Sequence, residues 1–250
     1  MTGYKGFAYL YDSLMSGVPY AAWASYIDNA LTSYLGQNRA SHIVLDMACG
    51  TGNITIPLAK LGYDMIGVDI SIDMLSQAQA KASGNKVLFL AQDMRELDLY
   101  GTIDAAVCVC DGMNYILCET ELQAVFSRLR MFLNPGGVFI FDMNTPYKFK
   151  EILGNKTFTT DTEGDSYEWD NHFNEETGIN EYRVTFTPIE GESFFEVHNQ
   201  RAYPASTISD LLLTAGFCTV EMYDGYCQCA PVDKTERIVF IARTKEDMQG

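Results

Sequence analysis

The sequence predicts an α/β protein with a doubly wound, mostly parallel sheet of seven strands and an inserted antiparallel β meander. Three observations support this fold class. Short apolar runs alternate with amphipathic stretches from residue 42 onward, residues 155–203 change to polar segments rich in Thr, Tyr, Phe and Trp, and the alternating pattern returns afterwards. Alternating strands and helices are typical of a sheet covered by helices on both faces.

The chain opens with two predicted helices. Apolar residues recur every three or four positions from Tyr4 to Leu14, which indicates a helix with one buried stripe. A break at Gly17-Val18-Pro19 separates it from a second helix, predicted over residues 20–35.

The alternating region is predicted to form a parallel sheet with its connecting helices. Apolar runs typical of buried parallel strands cover residues 42–47, 65–68, 87–91, 103–110 and 138–142. Helices are predicted over residues 54–61, 71–82 and 119–133. A further helix and two further strands are predicted over residues 206–215, 218–223 and 238–243.

The segment between these α/β parts is predicted to be an antiparallel meander with three turns. The turns are expected at Glu163-Gly164-Asp165, Glu176-Thr177-Gly178 and Glu190-Gly191-Glu192. We therefore expect an α/β domain of residues 1–150 and 204–250, with a helical lid at its amino terminus. Residues 151–203 would form an inserted subdomain that caps the substrate site.

The composition is that of a globular protein with a strong acidic excess. The chain carries 17 Lys and Arg against 33 Asp and Glu, a formal net charge of −16. A field of this sign repels polyanions, so we expect no nucleic-acid partner. No run approaches the roughly 20 apolar residues of a membrane span, and residues 1–7 lack a basic stretch followed by an apolar one. We therefore expect a cytoplasmic protein with no membrane partner.

Seven cysteines are present, some of them as the C-x-C pairs Cys108/Cys110 and Cys227/Cys229. Zinc sites favour cysteines separated by about two to four residues, and a chain this long does not need disulfides to form a core. We therefore predict no metal site, and we expect the C-x-C pairs at alternate positions of strands.

A glycine-rich loop follows the first predicted strand. The segment Val44-Leu45-Asp46-Met47-Ala48-Cys49-Gly50-Thr51-Gly52-Asn53 passes from an apolar run into a predicted helix. Gly50 and Gly52 have no side chains, so a nucleoside-sized ligand can approach the main chain. The Gly-x-Gly-x-x-Gly pattern of a dinucleotide site is incomplete, because Ile54 and Thr55 follow without a third glycine.

Acidic residues end the next two predicted strands. Asp69 ends the second, where a carboxylate can accept both hydroxyls of a ribose. Asp93 and Met94 end the third, where a carboxylate can bind an adenine amino group and a thioether can lie against the base. Each aspartate alone could be a helix cap or a turn residue, but acids at three successive strand ends, with Asp46, indicate a nucleoside site.

These motifs resemble those of class I S-adenosylmethionine-dependent methyltransferases. The first motif of that family is similar to residues 44–52, and later ones are similar to Gly67-Val68-Asp69-Ile70-Ser71 with Met74, to Ala91-Gln92-Asp93-Met94 and to residues 133–137. The resemblance covers about residues 40–145. It implies a Rossmann-like methyltransferase fold with S-adenosylmethionine as the cofactor.

The resemblance also implies roles for individual positions. Residues of the family that match Asp46, Gly50 and Gly52 line the methionine part of the cofactor. The match of Asp69 binds the ribose, and those of Asp93 and Met94 flank the adenine. A Tyr-Asp pair of the amino-terminal helix closes over the cofactor. The complete expected set of cofactor-binding residues is Tyr11, Trp23, Asp46, Ala48, Cys49, Gly50, Gly52, Asn53, Asp69, Ile70, Met74, Asp93, Met94, Cys110, Asp111 and Asn114.

A looser resemblance bears on the acceptor. The opening residues 7–12, the β insertion and residues 195–217 are similar to bacterial small-molecule methyltransferases related to glycine and sugar N-methyltransferases. This resemblance implies a small-molecule acceptor, methylated on nitrogen or oxygen.

Methyl transfer from a sulfonium is an in-line displacement, which needs alignment and, for a protonated acceptor, a base. The fourth strand of this fold ends facing the methyl group, so Asp111 and Tyr115 are candidate catalytic residues, although Asp111-Gly112 could equally be a turn. His198 is a third candidate, because imidazole titrates near neutrality, but a lone strand histidine is more often a packed or surface residue.

Two other functions are compatible with the residues. A nicotinamide oxidoreductase could also use Asp69 for a ribose, but the missing third glycine and the Asp93-Met94 pair favour the methyltransferase. A protein that keeps the cofactor pocket without catalysis is the second. No motif distinguishes a monomer from a homodimer.

Overall fold

The computed structural model describes residues 7–162, 165–189 and 192–246. The strands in these ranges are β1 (Ile43–Met47), β2 (Asp64–Asp69), β3 (Val87–Ala91), β4 (Ile103–Cys108), β5 (Leu133–Asn144), β6 (Thr157–Thr162), β7 (Asp165–Asn174), β8 (Ile179–Thr187), β9 (Phe194–Arg201), β10 (Thr219–Asp224) and β11 (Arg237–Arg243). The α-helices are α1 (Phe7–Leu14), α2 (Tyr20–Leu35), α3 (Thr55–Leu61), α4 (Ile72–Lys81), α5 (Glu119–Phe132) and α6 (Ala205–Thr214).

Seven strands form one sheet in the order β10-β11-β5-β4-β1-β2-β3. Strands β1 to β5 are mutually parallel, and β11 is antiparallel to both of its neighbours. Helices cover both faces: Phe126 and Ile208 pack on one side, and Leu31 and Leu58 on the other. The predicted doubly wound, mostly parallel sheet is confirmed.

The reversed direction of β11 decides what lies at the functional edge of the sheet. Parallel strands bring their carboxyl ends to one edge, where ligands bind in open α/β folds. Because β11 runs the other way, its first residue reaches the same edge, and Arg237 pairs in register with Asn144 at the end of β5.

The predicted meander is a four-stranded antiparallel sheet in the order β6-β7-β8-β9. It lies along the chain between β5 and α6. The predicted turn at 176–178 is present, with Gly178 at a φ of 69°. The other two predicted turns centre on residues 163–164 and 190–191, which lie outside the described residues. Along β9, the buried Glu196, His198 and Gln200 alternate with more exposed neighbours, as a strand with one covered face requires.

One local expectation is wrong. Cys227 and Cys229 lie in the loop between β10 and β11, because Gly225, with a φ of 57°, turns the chain out of β10. The expected start of the first helix at Tyr4 lies outside the described residues. Within them, α1 begins at Phe7. None of the helices in the described ranges is both long and apolar enough to cross a membrane.

Phe126→Ala should measure how far the fold depends on packing between α5 and the sheet. The Phe126 ring is fully buried, with its centroid 5.6 Å from that of Phe141. Its removal leaves a cavity, so we expect the free energy of unfolding in urea to fall by about 3–5 kcal/mol. The control Met131→Ala, on the same helix but 75% exposed, should change it by less than about 0.5 kcal/mol. Equal losses in both variants would contradict this packing.

Candidate active site

A cavity of about 590 Å³ lies between the carboxyl edge of the parallel strands and the second sheet. This volume falls within the range of small-molecule sites, roughly 300–1,000 Å³. The loops after β1 to β4, the two amino-terminal helices and the inner face of the second sheet all contribute to its wall. The predicted site residues that line it are Tyr11, Trp23, Ala48, Gly50, Asp69, Ile70, Met74, Asp93, Met94, Cys110, Asp111, Tyr115 and His198.

The loop after β1 is shaped by residues in the left-handed region. Ala48, Gly50 and Gly52 have φ angles of 54°, 53° and 79°. A Cβ added at Gly50 would meet no atom within 4 Å, whereas one at Gly52 would lie 3.1 Å from the side chain of Ile56. Gly50 therefore keeps the cavity wall open to a ligand, and Gly52 allows the loop to pack closely against α3.

Asp69 holds this loop from the neighbouring strand. Its carboxylate accepts the N–H of Gly50 and the N–H of Ser71, each at 2.8 Å. Burial raises the pKa of Asp69, and the bonds from these N–H groups partly offset the effect of burial. The carboxylate is thus fixed at the end of β2, on the cavity wall.

Four residues that we expected to contact the cofactor lie behind the wall: Asp46, Cys49, Gly52 and Asn53. The side chains of Asp46, Cys49 and Asn53 help to pack the loop, and so does the lack of a side chain at Gly52. Asp46 accepts a hydrogen bond from Thr55 Oγ1 at 2.5 Å, and burial raises its pKa to about 7. It joins the end of β1 to the start of α3. These four residues do not line the cavity, and their expected contact with the cofactor stays a prediction.

Helix α1 is fastened to the glycine loop by Asp12. The Asp12 carboxylate accepts hydrogen bonds from Thr51 Oγ1 at 2.6 Å, Asn53 Nδ2 at 2.9 Å and Lys81 Nζ at 2.6 Å. This attachment places Tyr11, one residue earlier, on the cavity wall. The sequence pointed to Tyr11 but not to Lys81, because a cation in the last turn of a helix is ordinarily explained by the helix dipole.

The loop after β3 provides a carboxylate and a thioether. Asp93 accepts the N–H of Arg95 at 2.9 Å and pairs with its guanidinium at 2.5 Å. These bonds to Arg95 lower the pKa of Asp93. Met94 lies beside it on the wall, and Ile70 and Met74, which follow β2, add further apolar side chains.

The chain turns left-handed directly after β4. Cys110 and Asp111 have φ angles of 60° and 56°, a region that is costly for residues with a Cβ. Their N–H groups both donate to the buried carboxylate of Asp142 in β5, at 3.1 and 2.6 Å. These bonds hold the turn in place on the cavity wall.

Arg237 supplies the positive charge at this corner of the site, where the turn after β4 meets β5 and the start of β11. Its guanidinium donates to Asp142 Oδ1 at 2.5 Å and to Asp111 Oδ1 at 2.7 Å, and Asp142 also accepts the hydroxyl of Tyr226. Burial opposes the charge of Arg237, but the two carboxylates raise its pKa well above the ordinary value. No sequence motif pointed to this network, because it depends on the pairing of β5 with β11.

Trp23 forms the outer side of the same corner. Its ring stacks on Tyr226, with centroids 4.5 Å apart and planes at 15°, and the Arg237 guanidinium lies 5.5 Å from the ring centroid. The predicted lid residue thus covers the charged network as well as lining the cavity.

Asn114, a predicted cofactor-binding residue, lies away from the cavity and hydrogen-bonds to the backbone of neighbouring strands. It is fully buried and does not line the cavity. Its amide donates to the carbonyls of Asn144 and Arg201 at 3.2 and 2.8 Å, and its oxygen accepts the N–H of Asn144 at 2.9 Å. It ties the loop after β4 to the ends of β5 and β9. The sequence does not reveal which way this side chain points, and its expected contact with the cofactor stays a prediction.

Tyr115 and His198 meet across the cavity, from the loop after β4 and from β9. The Tyr115 hydroxyl lies 2.6 Å from the hydroxyl of Tyr182 and 3.4 Å from His198 Nδ1. The Tyr182 ring stacks on the imidazole, with centroids 4.9 Å apart. On the far side, His198 Nε2 lies 3.3 Å from a carboxylate oxygen of the buried Glu196. Tyr115, Tyr182 and His198 therefore form a connected polar cluster on the cavity wall.

Known proteins share both sequence and structure with this chain. A family model described as a methyltransferase domain matches residues 44–137. Over 96% of its length, the chain is 36% identical to a Geobacillus sp. (strain WCH70) protein named as a methyltransferase, of which it covers 99%. An S-adenosylmethionine-dependent methyltransferase from Clostridium acetobutylicum ATCC 824 superposes with a TM-score of 0.87 at 31% identity, over 97% of this chain and 99% of that one.

This chain belongs to the class I S-adenosylmethionine-dependent methyltransferases. The methyltransferase also shares 29% identity with a dTDP-3-amino-3,4,6-trideoxy-alpha-D-glucopyranose N,N-dimethyltransferase from Streptomyces venezuelae, over 58% of each chain.

The cofactor of the methyltransferase is S-adenosylmethionine, and the wall of the cavity fits it. Gly50 leaves open the space that a side chain would fill, and the Asp69 carboxylate stands at the end of β2. The thioether of Met94 offers a soft apolar surface to a base. The described residues therefore provide a place for each part of an adenosyl ligand.

Arg237→Met should test the charge network of the methyltransferase. The substitution leaves the carboxylate of Asp142 buried without its counter-charge, which costs about 3–5 kcal/mol of the free energy of unfolding. Denaturation in urea at pH 7 measures the loss. The control Arg243→Met removes a 3.1 Å pair with Glu246, which is 76% exposed, at the other end of β11; it should cost less than about 1 kcal/mol. If both variants unfold at the same urea concentration, the network is not holding this corner.

Proposed function

We propose that this methyltransferase transfers the methyl group of S-adenosylmethionine to nitrogen or oxygen of a small molecule. The observation that carries the proposal is one cavity whose wall includes Asp69 and Gly50 on one side and Tyr182 and His198 on the other. A donor and an acceptor could lie in contact within it, as in-line displacement requires. The likeness to an amino-sugar N,N-dimethyltransferase supports an acceptor of this size.

The proposed contacts of the cofactor follow the strand ends. Asp69 binds the ribose hydroxyls, and Asp93 with Met94 binds the adenine, beside Ile70 and Met74. Ala48, Gly50 and Cys110 line the methionine part, with Tyr11 and Trp23 closing the site from the amino-terminal helices. All of these residues lie on the cavity wall. When bound, the cofactor supplies an electrophilic methyl group carried on sulfur.

Tyr115 and His198 are the proposed catalytic residues for an acceptor that must lose a proton. His198 Nδ1, 3.4 Å from the Tyr115 hydroxyl, accepts the proton directly or through that hydroxyl. Glu196 stabilises the protonated imidazole from 3.3 Å away. Asp111 is a poorer base, because Arg237 and Gln200 Nε2 occupy its two oxygens at 2.7 and 2.6 Å. We propose a positioning role for Asp111.

Charge and cysteine chemistry support a cytoplasmic enzyme of small molecules. The net charge of −16 disfavours a nucleic-acid acceptor. All seven cysteines are unpaired, as is usual in a reducing compartment.

Calorimetry with S-adenosylhomocysteine tests the cofactor site, and tritiated methyl transfer from S-adenosylmethionine to a panel of small amines and alcohols tests the activity.

Asp69→Asn should weaken the binding of S-adenosylhomocysteine about tenfold or more, because it removes a charged hydrogen-bond acceptor. The control Asp64→Asn, at the exposed start of the same strand, should bind like the wild type. Binding unaffected by Asp69→Asn would refute the proposed ribose contact.

His198→Asn should lower kcat/KM for the acceptor by about 10²–10⁴, the usual contribution of a general base, and leave S-adenosylhomocysteine binding unchanged. The control His172→Asn changes an exposed histidine of β7 and should retain full activity. A His198→Asn enzyme with the wild-type pH profile would rule out this base.

A further inference from the structure

Lys148 places a positive charge in the acceptor half of the cavity. It follows β5, in the segment that leads to the second sheet, and its backbone N–H is held by Thr145 Oγ1 at 3.1 Å. Its side chain lies on the cavity wall with Asn144 and Leu153. The base of this side chain is therefore fixed, and its ammonium group faces ligand space.

Lys148 has a neutral hydrogen-bond partner for its ammonium group. Its Nζ donates to the neutral amide oxygen of Asn144 at 3.0 Å. Within the described residues, no carboxylate oxygen comes within ion-pair distance of it. Asp111, Glu236 and Asp142 act on Lys148 from a distance, and two of them, Asp111 and Asp142, are bound to Arg237. Burial and the charge of Arg237 lower the pKa of Lys148, and the three carboxylates only partly offset this. An anionic group beside the ammonium would offset the lowering further.

The position of Lys148 separates it from the proposed ribose contact, Asp69. It follows β5, which stands three strands away from β2 and its Asp69 in the sheet, a distance of roughly 14 Å at ordinary strand spacing. The wall near it continues into Leu153, Trp169 and Tyr182. These large apolar and aromatic surfaces suit the body of an organic molecule, and the ammonium suits a charged end.

We propose that Lys148 binds an oxyanion of the acceptor, so that the enzyme methylates small organic acids: carboxylates or phosphate esters with an apolar or aromatic body. This inference rests on the proposed function and narrows its substrate class. The protein as a whole carries a net charge of −16, which disfavours anionic ligands at long range. A local cation at the site therefore decides whether such an acceptor can bind.

The test is calorimetric titration of the full-length protein, saturated with S-adenosylhomocysteine, with phenylacetate, phenyl phosphate and the neutral match phenylacetamide. We expect at least one anion to bind about tenfold or more tightly than the amide, from the energy of a charged hydrogen bond. The anion that binds more tightly shows whether the anionic group of the acceptor is a carboxylate or a phosphate. Lys148→Met should abolish the preference, and Lys148→Arg should restore part of it.

The control is Lys150→Met, two residues away, where the exposed ammonium pairs with Glu175 at 2.7 Å; it should keep the preference for anions. Unfolding midpoints of the variants in urea show whether each is folded. The proposal is overturned if neither anion binds better than the amide, or if Lys148→Met keeps the preference for anions. It is also overturned if Lys148→Met weakens the binding of S-adenosylhomocysteine instead of the binding of the anions. Failure of the wild type to bind S-adenosylhomocysteine at all would count against the proposed function itself.

Discussion

The buried carboxylate of Asp142 is the interaction on which the centre of the site depends. It lies within β5, is fully buried, and accepts hydrogen bonds from the N–H groups of Cys110 and Asp111 and from Tyr226 and Arg237. The loop after β4, the start of β11 and the loop before it are all joined at this one group. A carboxylate without these donors could not remain charged inside a sheet. The site and the corner of the fold are therefore stabilised together.

Such a network orients the residues it joins more than it adds to the free energy of unfolding, because desolvation of buried ions offsets much of their attraction. Here the positions are those of Cys110 and Asp111, whose left-handed backbone would otherwise relax. Two N–H bonds to Asp142 and one ion pair from Arg237 hold them on the cavity wall. A small left-handed turn thus gives the strand end a fixed shape at the point where donor and acceptor would meet.

The parts of the fold with strong periodicity could be predicted from the sequence. Residues 20–35 and 87–91 were predicted with the bounds that the structure gives to α2 and β3, because apolar spacing alone sets such elements. Asp69 could be placed at a strand end for the same reason. Asp142 and Arg237 could not be found, since their contact depends on strand pairing 95 residues apart in the chain. The orientation of Asn114 could not be found either, because it is set by the carbonyls of Asn144 and Arg201.

The cavity draws its two halves from different stretches of the chain. The loops after β1 to β3 form one half, and β7, β8 and β9 form much of the other. The family model matches residues 44–137 and stops short of the second sheet. Under the proposed assignment of the acceptor to this half, changes in the sequence of the second sheet alter what is methylated and leave the proposed cofactor contacts intact. Gene duplication followed by change in that stretch alone would give sister enzymes with one methyl donor and separate acceptors.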